Sequence, residues 1–157
     1  MSSTTAILWP AFALFTLTMI SVARLARMRF AAARAGRVDP RYYKVFKGEG
    51  EPPELAAASR NLVNLYEMPT LYYAATAFAF AGHLSGSILV TLGWAYVALR
   101  FGHSFVHVTS NKVLWRFRLF LASWIVLVLY LAAIGLGLYA TAEPATTDVA
   151  TVESAPH

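Results

Sequence analysis

The sequence predicts an all-α integral membrane protein built as a four-transmembrane-helix, up-down bundle. Three observations predict it. Of the 157 residues, 58% are hydrophobic and only 13% are charged, and the mean hydropathy of +0.54 lies outside the range of ordinary soluble domains. Four apolar stretches, approximately 5–26, 56–82, 86–108 and 117–140, each reach the roughly 20 residues that a helix needs to cross a hydrocarbon core of about 30 Å. The basic residues are also segregated. Arg24, Arg27, Arg29, Arg34, Arg37, Arg41, Lys44 and Lys47 lie between spans one and two, and Lys112, Arg116 and Arg118 lie at the junction of spans three and four. None precedes span one, separates spans two and three, or follows span four. The positive-inside rule therefore puts both basic loops in the cytoplasm and both termini outside.

The formal charge of +5 and the pI near 9.7 follow from those loops. Anionic headgroups beside them account for the charge, so nucleic-acid binding is not expected. The chain has no cysteine, which excludes disulfides, protein thiolates and cysteine metal sites.

Span one has no Lys or Arg before it and is too long for a cleavable signal on the usual pattern, so it is expected to be a retained helix. Its Arg- and Ala-rich extension, Arg24 to Arg37, should stay helical until Gly36 and the Asp39-Pro40 break. The run Gly48 to Pro53 then reads as a loop, and Glu54 opens span two, where a negative charge suits the helix dipole. Pro69 removes a donor inside span two and predicts a kink. Only about residues 82–87 separate spans two and three, which makes them antiparallel neighbours, with His83 on the outer turn. Thr109, Ser110 and Asn111 supply capping side chains before span four, which carries Gly135 and Gly137 near its outer end. Residues 1–140 form one domain, and the acidic, Pro-, Thr- and Ala-rich tail 141–157 is expected to be disordered.

Two apolar spans carry polar stripes. Arg60, Asn64 and Glu67 recur at i, i+4 and i+7 in span two, and Arg100, His103 and His107 at i, i+3 and i+7 in span three. An ionised group at the bilayer centre costs about 2.5–3.5 kcal/mol on insertion scales, so such faces must point inward, toward partners or water. Both stripes fall in the cytoplasmic half of their helices. The expectation is that they face each other at matching depth, with Glu67 paired to Arg100 and with Arg60, His107 and Arg116 flanking a shallower anion site. Three arginines against one carboxylate suit a carboxylate-bearing ligand held by guanidinium forks. Metal binding is not expected, because His103 and His107 lack further ligands. Tyr66, Tyr72, Tyr73 and Tyr96 are read as interfacial or packing residues.

The series Arg60-x-x-x-Asn64-x-x-Glu67 with Pro69 close behind, then Tyr96-x-x-x-Arg100-x-x-His103 and Arg116 beyond a short loop, resembles the MAPEG family, the membrane-associated proteins in eicosanoid and glutathione metabolism, and specifically its bacterial-type members. The resemblance covers about residues 5–140. It implies a homotrimer of four-helix bundles in a multi-pass arrangement, at a bacterial inner membrane in this case, with glutathione between subunits on the cytoplasmic side. By the same resemblance Arg60, Asn64, Glu67, Arg100, His103 and Arg116 would contact glutathione, and Arg24 or Arg27 would arrive from the neighbouring subunit.

The implied chemistry is transferase or peroxidase action on hydrophobic electrophiles, with Arg116 and His107 activating the thiol. Three departures bear on it. His107 stands where glutathione-dependent members carry tyrosine, Phe117 where some synthases carry serine, and Leu62 and Val63 where mammalian enzymes carry basic residues. They keep a second expectation open, a non-catalytic lipid- or ligand-binding protein on the same scaffold. Alternating-access transport is not expected, since no broken-helix repeat is visible.

Overall fold

The computed structural model describes residues 3–39, 41–46 and 50–142. The expectations for Pro40, for residues 47–49 and for the tail from 143 onward lie outside the described residues. A 3-10 turn, Ser3–Ile7, leads into α1, Leu8–Arg34. A single helical turn follows, α2, Tyr42–Val45. Three long helices complete the order: α3, Pro53–Ala81; α4, Ser87–Val108; and α5, Val113–Ala142.

Local chemistry sets the boundaries. Gly36 ends α1 at φ +66°, with its N–H donating to the Ala33 carbonyl at 3.1 Å and the Arg37 N–H to the Ala32 carbonyl at 2.9 Å. That is a Schellman stop, and glycine occupies its left-handed position without steric cost. Pro53 starts α3 at its first position, where the missing N–H is an orphan in any case. The α3–α4 turn repeats the same stop with a non-glycine residue. His83 takes φ +53°, and the Leu84 N–H donates to the Ala79 carbonyl at 2.9 Å, while the Leu84 side chain is buried. At the end of α4, Thr109 Oγ1 donates to the Phe105 carbonyl at 2.6 Å, and the Asn111 N–H reaches back to the Val106 carbonyl at 2.8 Å. The helical assignment of α3 runs unbroken through Pro69.

The four long helices pack side by side. The α4–α5 hairpin is the most extensive contact, and α1 lies against α3 and α4. The core between them is partly aromatic. Tyr72 stacks on Tyr96 with centroids 4.7 Å apart and meets Tyr130 at 5.2 Å, while the Tyr130 hydroxyl lies 3.1 Å from Thr76 Oγ1. Gly93 lets α1, α3 and α4 close on this cluster, since a Cβ there would sit 2.8 Å from the Tyr72 hydroxyl and 3.2 Å from Pro10 Cγ. A second core, Leu25, Ala32, Val38, Leu55 and Ala58, joins the extension of α1 to the start of α3, with Tyr42 and Tyr43 of α2 against it.

Two stretches among the described residues are long and apolar enough to cross a membrane, Thr5–Arg34 with mean hydropathy 1.9 and Val113–Ala142 with 2.5. Helices α3 and α4 fall below the same threshold because they carry the polar stripes and most of the core tyrosines. Fifteen large hydrophobic side chains on α1 and α5, from Trp9 and Phe12 to Leu136 and Tyr139, are more than half exposed, a surface suited to lipid rather than water.

Candidate functional site

The C-terminal half of α1, the start of α3, the end of α4 and the start of α5 meet at one end of the molecule. The polar residues named from the sequence gather there, but in two settings. On α4, Arg100, His103 and His107 are all buried, with 1%, 4% and 0% of their surface exposed. On α3, Arg60 and Glu67 are exposed and Asn64 is half-buried, its Nδ2 donating to the Arg60 carbonyl at 3.0 Å.

The expected Glu67–Arg100 pair does not form. The ion pairs among the described residues are Arg29–Glu51 and Arg37–Glu54. The reason is helical register: the packed face of α3 runs through Ala57, Asn61, Leu65, Met68 and Tyr72, and Arg60, Asn64 and Glu67 are each one residue before a member of that row, hence about 100° away. The α4 stripe, by contrast, coincides with that helix's packed face and turns toward α5. Arg60 lies within electrostatic reach of both His107 and Arg116.

Within the α4–α5 cluster, Arg100 Nε donates to the Tyr96 hydroxyl at 3.3 Å. The guanidinium lies over the Tyr96 ring at 5.7 Å and the Phe120 ring at 5.5 Å, favourable cation–π placements. Both terminal nitrogens are nonetheless buried without a hydrogen-bond partner. His103 Nδ1 donates to the Arg116 carbonyl at 3.1 Å, which makes Nε2 of a neutral ring an acceptor, and that atom is buried and unpartnered too. The His103 and His107 rings lie 5.6 Å apart, and neither His107 nitrogen has a partner. Arg116 is half-buried; its Nη1 donates to Asn111 Oδ1 at 2.8 Å, while Nε is orphaned. Burying a charge without a partner costs several kcal/mol. An arginine so placed fits a ligand carboxylate that would complete it.

In the neighbouring basic cluster Arg29, Glu51 and Ser59 satisfy one another. Arg29 Nε and Nη2 reach Glu51 Oε1 at 3.0 and 2.9 Å, Ser59 Oγ donates to Glu51 Oε2 at 2.7 Å, and Arg29 Nη2 donates to Ser59 at 3.1 Å. Its guanidinium also lies 4.7 Å from the Tyr43 ring centroid. Burial, and after it the Glu51 carboxylate, pushes the Tyr43 phenol above its ordinary pKa. Beside this clamp an apolar cavity of about 480 Å³ opens between Val22, Leu25, Phe30 and Leu62.

Of the two helix-one arginines, Arg27 is exposed and Arg24 is half-buried. Arg24 lines a smaller cavity of its own chain, about 220 Å³, together with Asn61 of α3 and Ser104 of α4. Sequence reasoning missed those two polar residues. The signal was present, since each is a polar position inside the apolar row that packs its helix, but a stripe-by-stripe reading followed the neighbouring rows.

No curated protein and no solved structure matches the chain. A family model does match, that of the MAPEG family, over residues 7–136. With most of the chain covered, the helical fold and its apolar surfaces in agreement and the stripe residues within the matched range, the protein belongs to the MAPEG family, membrane proteins of the glutathione-related transferase and peroxidase type.

Proposed function

We propose that the protein is a multi-pass, four-span membrane protein, assembled as a homotrimer with both termini outside a bacterial inner membrane. In this reading it holds glutathione between subunits at the cytoplasmic side and uses it against hydrophobic electrophiles. The observation that carries the reading is the buried Arg100 guanidinium, whose two terminal nitrogens have no partner in a single chain. A carboxylate of the ligand would complete it. The exposed stripe of Arg60, Asn64 and Glu67 supports the oligomer, because ionisable groups on a lipid-facing surface are costly and a neighbouring subunit would cover them.

The residues present suit the ligand. Arg60 and Arg100 offer forks for its carboxylates, Glu67 an acceptor for its amine, Asn64 and His103 uncharged hydrogen bonds, and Arg27 or Arg24 a contribution from the next subunit. When bound, glutathione would supply a thiol. Arg116, with His107 behind it, would stabilise that sulfur in its ionised form through proximity of positive charge. Positioning and ion pairing would account for most of the effect, since no protein nucleophile is required. The apolar cavity beside Arg29 offers room for a lipid-soluble acceptor.

A second reading, a non-catalytic ligand-binding protein on the same scaffold, draws support from His107. It occupies the position of the family's tyrosine, yet it is 0% exposed. Turnover separates the two. Purified protein should conjugate glutathione to a chlorinated nitrobenzene, Arg116→Ala should lose about tenfold to a hundredfold in rate, and His107→Tyr should gain. Absence of turnover together with absence of a thiol-dependent thermal shift would remove the enzymatic reading. A thermal shift without turnover would leave the binding protein.

A further inference from the structure

The cavity shared by Arg24, Asn61 and Ser104 has a chemistry separate from the α4–α5 cluster. It lies between α1, α3 and α4 and encloses about 220 Å³, space for roughly seven waters at about 30 Å³ each. Two side chains inside it are more than nine-tenths buried, Asn61 at 2% and Ser104 at 4% exposure. Asn61 Oδ1 and Ser104 Oγ both lack a hydrogen-bond partner. Leaving either unsatisfied costs about 1–3 kcal/mol. Arg24 adds a guanidinium that takes part in neither ion pair among the described residues. The rim is of opposite character: Ile20, Phe101 and Phe105 are exposed at 59%, 41% and 69%.

We infer that this notch seats the headgroup of an anionic glycerophospholipid whose acyl chains lie along the apolar rim. The cation and the Ser104 hydroxyl call for negatively charged acceptor oxygens, as in a phosphodiester. Asn61 Oδ1 calls for a donor, which a hydroxylated headgroup such as glycerol carries and a choline does not. The rim accounts for the rest of the molecule, since aromatic and aliphatic side chains beside a cationic polar pocket match the boundary between headgroup and acyl chain. Along α3, Asn61 lies eight residues, roughly 12 Å, from Pro53, toward the end of the helix that follows the basic segment. With Arg24 engaged in this notch, Arg27 is left for the neighbouring subunit's glutathione, and the lipid site needs no thiol ligand.

The test is native mass spectrometry of the full chain released from mixed micelles holding equal amounts of phosphatidylglycerol and phosphatidylcholine, without thiol. Wild type should retain phosphatidylglycerol about tenfold over phosphatidylcholine. Asn61→Leu, which fills the notch, should abolish the preference, and Ser104→Ala, which removes one oxygen, should reduce it about threefold while leaving the fold undisturbed. Equal retention of the two lipids by wild type would overturn the inference. So would an unchanged preference in Ser104→Ala, whether or not Asn61→Leu folds. A third arm adds soluble glycerol phosphate: displacement of the lipid only at large excess supports the lipid as occupant, and tight binding of glycerol phosphate alone would assign the notch to a free phosphate ester instead.

Discussion

Arg29, one-third exposed, and Arg100, fully buried, lie at the same end of the molecule, yet their surroundings are opposite. Arg29 has a buried carboxylate, a serine and an aromatic ring around it, all from its own chain. Arg100 has two rings and one phenol, and its terminal nitrogens meet nothing. The contrast separates an arginine whose hydrogen bonds are completed by its own chain from one whose terminal nitrogens are left open. Charge in an apolar setting does not by itself distinguish the two; the completeness of its hydrogen bonding does.

The largest expected effect sharpens this difference directly. Arg100→Leu should cost glutathione about a hundredfold in affinity, about 3 kcal/mol, while leaving the melting temperature of the ligand-free protein unchanged or higher, because an unpaired buried charge is gone. Isothermal titration and a thermal melt read the two halves, and a large drop in ligand-free stability would break the contrast. Arg29→Met should do the reverse. It strands the Glu51 carboxylate at a cost of about 2 kcal/mol, reduced from the fully buried case because Arg29 is one-third exposed, so the melting temperature should fall by roughly 4–8 °C with ligand affinity intact. Glu67→Gln, on the exposed stripe, should lower affinity about tenfold, or about 1.4 kcal/mol, with no change in the protomer's own packing.

The smallest effect is one of pH. The raised pKa of Tyr43 means that folding favours the neutral phenol. The associated stability is complete below the unfolded value of about 10 and is lost as pH climbs through the raised folded value. Wild type should therefore melt at lower temperature on going above pH 10, and Tyr43→Phe should flatten that slope. Parallel slopes would detach the phenol from the clamp.

The helices were legible in the sequence because their signals are local. Gly36, Pro53 and the short run at 82–87 mark boundaries by backbone chemistry alone, and the long apolar runs mark what lies between. The turn at Tyr42–Val45 was not, since four residues carry no periodicity and its place depends on aromatic packing against a distant core. The identity of the stripe residues was legible as well, through charge in apolar surroundings. Which way each stripe faces was not, because a rotation of about 100° separates Arg60 from Asn61 and only the packing of the whole set decides between them. Glu51 was hidden for a further reason. It sits in a Gly- and Pro-rich stretch that reads as loop, and nothing local announces that Arg29, 22 positions earlier, closes over it.

Helix α1 runs for 27 residues, about 40 Å at 1.5 Å per residue, against a hydrocarbon layer of about 30 Å. Crossing such a layer upright from its N-terminal end, α1 would carry its final turns clear of the acyl region, and it is on those turns that Arg29 grips the segment before α3. A lever fixed at one end in oil and at the other to a salt-bridged clasp transmits tilt: membranes of longer or shorter acyl chains would tip α1 by different angles, and the clasp would register bilayer thickness as strain.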